Sequence, residues 1–200
     1  MTTEELFDFD KTYGTLVAGV DEAGRGPLAG PVVAACCVPC GIYIEGINDS
    51  KKISEPKREA LYELITTSGM KFAVGIVDEI TIDEINILNA TKKAMENCVK
   101  SLDIMPDIVL IDAVKGLDLP YRQQAIVKAD AKSYAVAAAS IIAKVTRDRI
   151  MRGYDEEFPM YGFAKHKGYG TAAHIAAIRQ YGPCRIHRRS FIGNFTDEQA

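Results

Sequence analysis

Residues 16–27 of the chain read LVAGVDEAGRGP, an apolar run followed by two acids and a glycine-rich loop. The run over residues 16–21 is short, contains β-branched residues and is bounded by glycine, which together predict a β-strand. Asp21 and Glu22 therefore stand at the end of a strand. Because open α/β sheets place their sites beyond the carboxyl ends of strands, these two acids are candidate functional residues.

The rest of the chain contains both strand and helix patterns. Further strands are predicted over residues 31–38, 72–77, 107–112 and 124–128. Helices are predicted from the N-cap Ser54, from a capping box of Thr81 and Glu84, over the alanine-rich residues 131–151, and from Thr171 to residue 181. This succession indicates a mixed α/β sheet covered by helices.

Two more acids follow predicted strands. Asp112 ends the run IVLI at residues 108–111, and Asp130 follows the run AIV at residues 125–127, at the start of the alanine-rich helix. Four carboxylates from three strand ends converge on one site if those strands are neighbours in the sheet. The alternative is that Asp112 or Asp130 only caps a helix or tightens a turn, since aspartate is common at such positions.

The four acids point to a metal-dependent site. Clustered carboxylates repel one another and raise each other's pKa unless a cation neutralises them. Oxygen ligands favour the hard cations Mg²⁺ and Mn²⁺, and no histidine lies near these acids in the sequence, which disfavours zinc. Such clusters serve two-metal phosphoryl transfer, in which one ion activates water and the other stabilises the leaving oxygen.

One of these acids raises a geometric difficulty. Side-chain alternation along a strand sends Asp21 and Glu22 to opposite faces. Both reach one site only if the strand ends or bulges there, which the following Ala23 and Gly24 allow. We therefore expect the strand to end or to bulge at these acids.

Four other motifs carry groups that suit phosphate, sugar or a nucleic-acid backbone. The glycines of Gly24-Arg25-Gly26 allow close backbone approach to a ligand, and the arginine offers a planar donor fork. The turn NDSKK at residues 48–52 carries two lysines, although a solvated loop explains it equally well. In KHKGYGT, residues 165–171, basic residues flank a tyrosine just before a helix N-terminus, which suits an anion and a sugar or base. The charges of RIHRRSF, residues 185–191, suit a nucleic-acid backbone.

The charges are unevenly distributed, although the 200 residues carry a formal net charge of only −3. Residues 1–50 hold eight acidic and two basic residues, whereas residues 165–189 hold six Lys and Arg, all three histidines and no acid. The basic stretch indicates an anionic partner, with a solvated surface as the alternative. The longest nearly apolar run, residues 134–143, is too short to span a bilayer, and the acidic N-terminus is unlike a signal peptide. We therefore expect a cytoplasmic protein that acts without a membrane.

Composition and cysteine content indicate which class of protein the chain belongs to. With 48% apolar and 26% charged residues, the chain has the composition of a globular domain rather than of a disordered or fibrous protein. Its five cysteines are an odd number, which does not suggest a disulfide framework. Cys37 and Cys40 form a C-x-x-C pair without the further ligands of a zinc site, so a structural role is favoured over metal binding.

Seven segments of the chain, taken together, match one family. They read VDEAGRGPLAGPV at residues 20–32, NDSKK at 48–52, ID at 111–112, KAD at 128–130, AAASIIAKVTRD at 137–148, KGYGT at 167–171 and HRRSF at 187–191. In these segments the sequence resembles the ribonuclease HII family, the type 2 ribonucleases H. The resemblance runs from about residue 16 to residue 191, which is nearly the whole chain.

The resemblance implies a ribonuclease H-like α/β fold, with a central five-stranded mixed sheet flanked by helices and a C-terminal helical extension. The first and fourth strands are neighbours in that fold, which supplies the adjacency that the acids need. We expect residues 1–200 to form a single catalytic domain, in which about residues 153–200 are the helical, substrate-binding extension. The expected oligomeric state is a monomer.

The resemblance also implies an activity. It assigns catalytic and metal-binding roles to Asp21, Glu22, Asp112 and Asp130, with Mg²⁺ or Mn²⁺ as the cofactor of a two-metal mechanism. The implied enzyme is an endoribonuclease that hydrolyses the RNA strand of RNA–DNA hybrids. It would also cut 5′ to single ribonucleotides embedded in duplex DNA, leaving 3′-hydroxyl and 5′-phosphate ends. Ribonucleotide removal and primer processing are the implied roles.

Substrate contacts follow from the same resemblance. Gly24, Arg25 and Gly26 would read the ribose 2′-OH, the group that separates RNA from DNA, and the neighbouring phosphate. Tyr169 would pack against the sugar on the 3′ side of the cut and favour deoxyribose there. Lys51 would contact the substrate backbone.

Three alternatives compete with this interpretation. A ribonuclease HIII carries an additional N-terminal substrate-binding domain and typically Glu as the fourth acid, whereas here 15 residues precede the first predicted strand and the fourth acid is Asp130. A non-catalytic nucleic-acid-binding module would have no use for four carboxylates that repel phosphate. A redox protein built on Cys37 and Cys40 is the third alternative, which thiol reactivity would test.

The sequence departs from the family pattern in few places. Ala113 stands where glycine is common after the third acid, which exchanges one small residue for another. Residues 193–200 show no sliding-clamp-binding pattern. We therefore infer no sliding-clamp partner from the sequence.

Overall fold

The computed structural model describes residues 1–196. The strands are β1 (Val17–Ala23), β2 (Val32–Val38), β3 (Lys71–Val77), β4 (Ile108–Asp112) and β5 (Gln123–Ile126). They form one sheet in the order β3-β2-β1-β4-β5. Pairing is antiparallel between β1 and β2 and between β2 and β3, whereas β4 is parallel to both β1 and β5. The predicted five-stranded mixed sheet is confirmed.

Helices cover both faces of this sheet. They are α1 (Thr3–Lys11), α2 (Glu55–Thr67), α3 (Glu79–Lys100), α4 (Tyr134–Glu157), α5 (Phe163–His166), α6 (Ala172–Tyr181) and α7 (Arg189–Ile192). One face packs on α3, where Met95 and Cys98 join an apolar cluster with Val20 of β1. The other face packs on α4, with α1 and α2 beside it. None of the helices in residues 1–196 combines the length and the apolar composition that crossing a bilayer requires.

Helix α4 approaches β1 closely because the contact surfaces carry little side-chain bulk. A Cβ atom on Gly19 of β1 would lie 2.1 Å from the backbone of Ala135 and Val136. The first part of α4 is buried on all sides, from Tyr134 to Ala143. This burial explains why the alanine-rich segment shows almost no polar face.

The N-terminal residues form a helix that the sequence analysis did not predict. A capping box begins α1, in which the Thr2 side chain accepts a hydrogen bond from the Glu5 N–H and the Glu5 carboxylate accepts one from the Thr2 N–H. Leu6 is fully buried, and Asp10 accepts a hydrogen bond from the Ala135 N–H at 2.7 Å. These contacts stabilise a helix of nine residues, which is too short to be stable alone.

The predicted start of α3 was wrong. Asp78 is the N-cap rather than Thr81, and its side chain accepts a hydrogen bond from the Thr81 N–H. The helix is also broken at Asn86, where φ is 65°. The side-chain oxygen of Asn86 accepts hydrogen bonds from the N–H groups of Leu88 and Asn89, and so caps a second helical segment.

The alanine-rich helix starts later than predicted. A short 3₁₀ turn over Ala129–Ala131 precedes it, and Ser133 is the N-cap of α4. Asp130 therefore lies in this turn rather than at the start of the helix. At the other end, α4 continues to Glu157, so the extension predicted from about residue 153 begins inside this helix.

We expect Gly19→Ala to lower the free energy of unfolding by about 3 kcal/mol, because its methyl group would meet backbone that no rotamer change can move. Gly153→Ala is the matched control in the same layer. It lies in α4 with open space around its Cβ, so alanine should raise stability by about 1 kcal/mol. Urea unfolding measures both values. If Gly19→Ala is as stable as the wild type, α4 does not pack on β1 as described.

Candidate active site

A cleft of about 230 Å³ opens at the carboxyl ends of the neighbouring strands β1 and β4. The predicted site residues on its wall are Asp21, Glu22, Gly24, Arg25, Gly26, Lys51, Asp112 and Tyr169. A larger cavity of about 520 Å³ lies near the start of β1, beside Asp10 and Cys40, and none of the predicted site residues lines it. The smaller cleft is therefore the candidate active site.

Asp21 and Glu22 both line this cleft although β1 is regular at both residues. The antiparallel pairing with β2 continues without a bulge to Ala23, the last residue of β1. On its other side, β1 pairs with β4 only as far as Val20. Beyond Val20 this edge of β1 is no longer covered by β4, so side chains from both faces reach the cleft. Of the two expected arrangements, the bulge is not observed, whereas β1 does end at Ala23, one residue after Glu22.

Asp112 and Asp130 come from β4 and from the turn before α4. Asp112 Oδ1 accepts a hydrogen bond from the Ala129 N–H at 2.8 Å, which ties the end of β4 to that turn. Asp130 is 5% exposed, and its Oδ2 accepts a hydrogen bond from Lys51 Nζ at 3.1 Å. Lys51 lines the cleft and Asp130 does not. The fourth acid therefore lies behind Lys51 rather than on the wall.

The acids of the cleft have raised pKa values. Burial raises the pKa of Asp21 well above its usual range, and the charges of Glu22 and Asp112 raise it further. Burial also raises the pKa of Glu22, although the Arg25 guanidinium opposes this change. The pKa of Asp112 is raised by burial, against the hydrogen bond from the Ala129 N–H. Full ionisation of these acids therefore requires a nearby positive charge.

The donor set fits a hard divalent cation. All four acids supply carboxylate oxygens, the ligands that Mg²⁺ and Mn²⁺ prefer. The Oε2 atom of Glu22 is buried and has no hydrogen-bond partner, although a buried carboxylate oxygen normally has one. Within residues 1–196, no three His, Cys, Asp or Glu side chains are already spaced to ligate one ion. A bound cation would therefore have to draw the carboxylates together.

Arg188 holds the loop that follows β1. It is fully buried and donates hydrogen bonds to the carbonyl oxygens of Gly24 at 2.6 Å, Arg25 at 3.0 Å and Gly30 at 2.9 Å. The C=O and N–H of a trans peptide group point in opposite directions. Because the first two carbonyls point at Arg188, the N–H groups of Arg25 and Gly26 point away from it. Both of these residues line the cleft.

A second buried arginine, Arg147, links this loop to the one that carries Tyr169. Its guanidinium donates to the carbonyl oxygens of Pro31 at 2.9 Å, Ala29 at 3.0 Å and Lys167 at 2.9 Å. Burial, followed by the charge of Arg147, lowers the pKa of Arg188 to about 9. The two loops of the cleft are thus fixed by side-chain donors from the core.

The basic stretch at residues 165–189 is less exposed than its composition suggests. Arg188 is buried, and Arg185 forms an ion pair with Glu157. Within the stretch, Lys165, Arg179, Arg185 and Arg189 are exposed. Sequence reasoning assigned the charges of residues 185–191 to a nucleic-acid backbone and so missed Arg188 as a loop-holding residue. A guanidinium carries five donors, enough to satisfy several carbonyls, and a basic run does not distinguish that role from a surface one.

The predicted substrate contacts stand at the mouth of the cleft. The Arg25 guanidinium lies 3.4 Å from Glu22 Oε1. Tyr169 is 45% exposed, and a Cβ atom on Gly26 would lie 3.8 Å from its ring. The ring therefore stands beside the glycine-rich loop.

The cleft also includes two α4 residues that sequence reasoning did not single out. Ser140 and Lys144 line it, and Lys144 Nζ pairs with Asp148 at 2.7 Å. Their spacing of four places them on one face of a helix. Isolated polar residues on one face of an otherwise apolar helix are the signal that could have identified them.

Comparison with known proteins identifies the family of the chain. A sequence model of the family described as ribonuclease HII matches residues 18–194. The ribonuclease HII of Acetivibrio thermocellus is 61% identical over 181 residues, which are 90% of this chain and 71% of the relative. That of Geobacter metallireducens is 55% identical over 88% of this chain and 84% of the relative. The chain belongs to the ribonuclease HII family.

Membership of this family makes the chain a hydrolytic nuclease. The family has ribonuclease H activity on RNA–DNA hybrids and is metal-dependent. This assignment favours a nuclease over a non-catalytic binding module or a redox protein.

Solved structures of similar proteins share the fold. The ribonuclease H2 of Pyrococcus horikoshii has a TM-score of 0.72 at 31% identity, covering 87% of this chain and 92% of that one. A ribonuclease HII from Archaeoglobus fulgidus, solved with PCNA, has a TM-score of 0.71 at 29% identity, covering 87% and 94%. A ribonuclease HIII solved with Mn²⁺ has a TM-score of 0.63 at 19% identity, covering 87% and 65%, which shows the fold alone.

We expect Arg188→Met to lower the free energy of unfolding by about 3 kcal/mol or more, because three buried carbonyls lose their donor. Arg188→Lys should lose less, since it keeps the charge but not the planar fork. Arg179→Met, at an exposed position in the same region, is the control and should stay within about 0.5 kcal/mol of the wild type. Equal stability of Arg188→Met and this control in urea would show that the carbonyl bonds do not hold the loop.

Proposed function

We propose that the chain is an endoribonuclease that cuts the RNA strand of RNA–DNA hybrids and incises duplex DNA 5′ to a single embedded ribonucleotide. The products carry 3′-hydroxyl and 5′-phosphate ends. The observation that carries the proposal is that Asp21, Glu22 and Asp112 share one cleft with the loop of residues 24–26 and with Tyr169. Groups suited to phosphate hydrolysis thus lie beside groups suited to reading a sugar.

Asp21, Glu22, Asp112 and Asp130 hold Mg²⁺ or Mn²⁺ in this proposal. Held by these carboxylates, the cations would supply activation of the attacking water and stabilisation of the leaving oxygen, as in two-metal phosphoryl transfer. The unpartnered buried oxygen of Glu22 and the raised pKa of Asp21 support cation binding in the cleft. Without a positive charge beside them, these buried carboxylates would repel both each other and the substrate phosphate.

Lys51 serves as the counter-ion of Asp130 when no cation is bound. Its ammonium lies 3.1 Å from Asp130 Oδ2, yet its side chain is 77% exposed. An ion pair with so exposed a partner contributes little to stability, so Lys51 leaves Asp130 at small cost. With a cation held by the acids, Lys51 would be available to contact a phosphate of the substrate backbone.

The loop of residues 24–26 reads the ribose. The N–H groups of Arg25 and Gly26 are directed away from Arg188, and a 2′-OH or a phosphate oxygen accepts from such groups. The Arg25 guanidinium adds a planar fork for the neighbouring phosphate. Tyr169 packs against the sugar of the nucleotide that follows the ribonucleotide on its 3′ side, where deoxyribose presents no hydroxyl to the ring.

We further propose that about residues 153–200 are the helical extension that binds substrate, within a single domain that acts as a monomer in the cytoplasm without a membrane. Tyr169 is the contribution of this extension to the cleft. The relative from Archaeoglobus fulgidus is described as a complex with PCNA. Residues 193–200 of this chain show no sliding-clamp-binding pattern, and residues 197–200 lie outside the described residues. We therefore do not include a sliding-clamp partner in the proposed function.

Asp112→Asn tests the metal role. We expect cleavage to fall by about a hundredfold or more, since even groups behind a metal ligand typically contribute 10–100-fold. Duplex binding should be largely retained, because the amide removes a charge that repels phosphate. The measurement is incision of a duplex containing one ribonucleotide, in Mg²⁺, in Mn²⁺ and in EDTA, with binding followed by fluorescence anisotropy.

Asp118→Asn is the matched control, because Asp118 has a 97% exposed side chain outside the cleft. It should cleave like the wild type. Wild-type turnover by Asp112→Asn would contradict the metal role, and cleavage in EDTA would contradict metal dependence. Binding of this duplex by the wild type without cleavage in Mg²⁺ or Mn²⁺ would instead indicate a non-catalytic module.

Tyr169→Ala tests the proposed sugar contact. We expect kcat/KM to fall about tenfold more on a duplex with one ribonucleotide than on a long hybrid, because only in the former is the ribonucleotide at the cut followed on its 3′ side by deoxyribose. Tyr181→Ala is the control, since Tyr181 is 54% exposed outside the cleft. Equal losses on both substrates would remove the junction-sensing role of Tyr169.

A further inference from the structure

All three histidines of the chain form one cluster next to Tyr169. The rings of His166 and His174 are stacked with centroids 4.4 Å apart, and those of His174 and His187 are 5.2 Å apart. His174 is 0% and His187 is 2% exposed. His174 and His187 belong to the basic stretch by sequence, but their burial removes them from any surface that could contact nucleic acid.

A directional chain of hydrogen bonds runs through two of these rings. The Cys184 N–H donates to His187 Nδ1 at 2.9 Å, so Nε2 carries the proton of that neutral ring. His187 Nε2–H donates to His174 Nε2 at 3.1 Å, which leaves the proton of His174 on Nδ1. His174 Nδ1–H donates to the carbonyl oxygen of Tyr169 at 3.0 Å. The backbone donor and acceptor at the two ends thus assign both tautomers.

His166 bonds to the same segment with its proton on Nε2, unlike His174. Its Nδ1 accepts a hydrogen bond from the Gly168 N–H at 3.2 Å, and its Nε2–H donates to the Tyr161 carbonyl oxygen at 2.7 Å. Its own carbonyl accepts a hydrogen bond from the Tyr169 N–H at 2.9 Å. Both the N–H and the C=O of Tyr169 are therefore bonded to histidines.

The segment that these bonds hold has an uncommon backbone. Lys167 and Gly168 have φ values of 52° and 82°, and this left-handed region is unfavourable for lysine. A Cβ atom on Gly168 would lie 2.5 Å from the Ala29 carbonyl oxygen, so the segment also packs tightly on the loop after β1. Such a conformation persists only where surrounding contacts determine it. The histidines supply several of those contacts.

The chain of bonds has no place for an additional proton. A proton on His174 Nε2 or on His187 Nδ1 would set two donors against each other. Burial lowers the pKa of both rings to about 4, in agreement with this geometry. The network is therefore intact at neutral pH.

We propose that His174, with His187 as its partner, is a positioning residue that fixes Tyr169 where its ring meets the sugar that follows the ribonucleotide on its 3′ side. His174 is fully buried, so it acts through Tyr169 and not by contact with the substrate. The inference rests on the proposed role of Tyr169 in the cleft.

Two conservative variants separate the two bonds of His174. The amide of asparagine reaches the position of Nδ1 and keeps the bond to Tyr169, whereas the amide of glutamine reaches that of Nε2 and keeps the bond to His187. The readout is the junction preference, kcat/KM on a duplex with one ribonucleotide divided by kcat/KM on a long hybrid. We expect His174→Gln to lower this preference about fivefold to tenfold, the effect of one lost hydrogen bond. His174→Asn should stay within about twofold of the wild type.

The two variants should rank in the opposite order in stability to their order in junction preference. Asparagine leaves a larger void and an unpaired His187 donor, so His174→Asn should unfold at lower urea than His174→Gln. If the junction preference falls more in the less stable variant, His174 has only a structural role and the proposal is overturned. Equal losses of kcat/KM on both substrates would overturn it as well.

The double variant Tyr169→Ala/His174→Gln tests whether His174 acts through Tyr169. We expect its junction preference to equal that of Tyr169→Ala alone, because the ring that His174 positions is gone. Additive losses would overturn the proposal while leaving the role of Tyr169 intact. Wild-type preference in Tyr169→Ala would instead remove the role of Tyr169, and this inference with it.

The tautomers are measurable in the wild-type protein, which keeps the proposal testable if a variant does not fold. Long-range ¹H–¹⁵N spectra at neutral pH should show the proton on Nδ1 of His174 and on Nε2 of His166 and His187. A proton on Nε2 of His174 would exclude its bond to the Tyr169 carbonyl and overturn the proposal.

Discussion

The parallel pairing of β1 with β4 is the constraint on which the site depends. Its register aligns Val20 with Ile111, so the next residues, Asp21 and Asp112, extend from adjacent strands that lie about 4.8 Å apart. Two carboxylates at such spacing repel each other, and burial increases the cost of ionising both. The sheet keeps this arrangement because apolar contacts on both faces fix the strands independently of the acids. A cation bound between the acids would relieve this repulsion, and the repulsion therefore favours cation binding.

Helix α4 extends this constraint to the rest of the cleft. It packs on β1 at Gly19, which fixes its height above the sheet. The turn before it carries Asp130, and successive turns of the helix present Ser140, Lys144 and Arg147. The last of these reaches both loops at the cleft mouth. One helix thus sets the relative positions of the acids and of the recognition loops.

Local rules in the sequence predicted much of this architecture. The strand predicted over residues 31–38 is observed as Val32–Val38, and Thr171 is the N-cap of α6 as predicted. The adjacency of β1 and β4 came from the family resemblance, because no local pattern specifies which strands pair. Sequence periodicity also could not show how Glu22 reaches the cleft, since that depends on where the neighbouring strand ends. Burial of Arg188 was hidden for a related reason: its partners are carbonyls 158 and more residues away.

The parts of the cleft differ in how firmly the protein holds them before substrate binds. The acids repel one another and are incompletely paired, whereas the loop of residues 24–26 is bonded through its carbonyls to Arg188. In the proposed function this difference has a purpose. A fixed donor that is paired only by a 2′-OH is left unpaired by deoxyribose, and a site built in this way rejects the analogue that lacks the hydroxyl. That penalty exists only if the loop cannot turn its N–H groups elsewhere. Because each peptide group is anchored by its carbonyl to a buried guanidinium, rotation of either N–H would break a bond inside the core, so the stiffness needed for discrimination originates in Arg188 rather than in the residues that face the substrate.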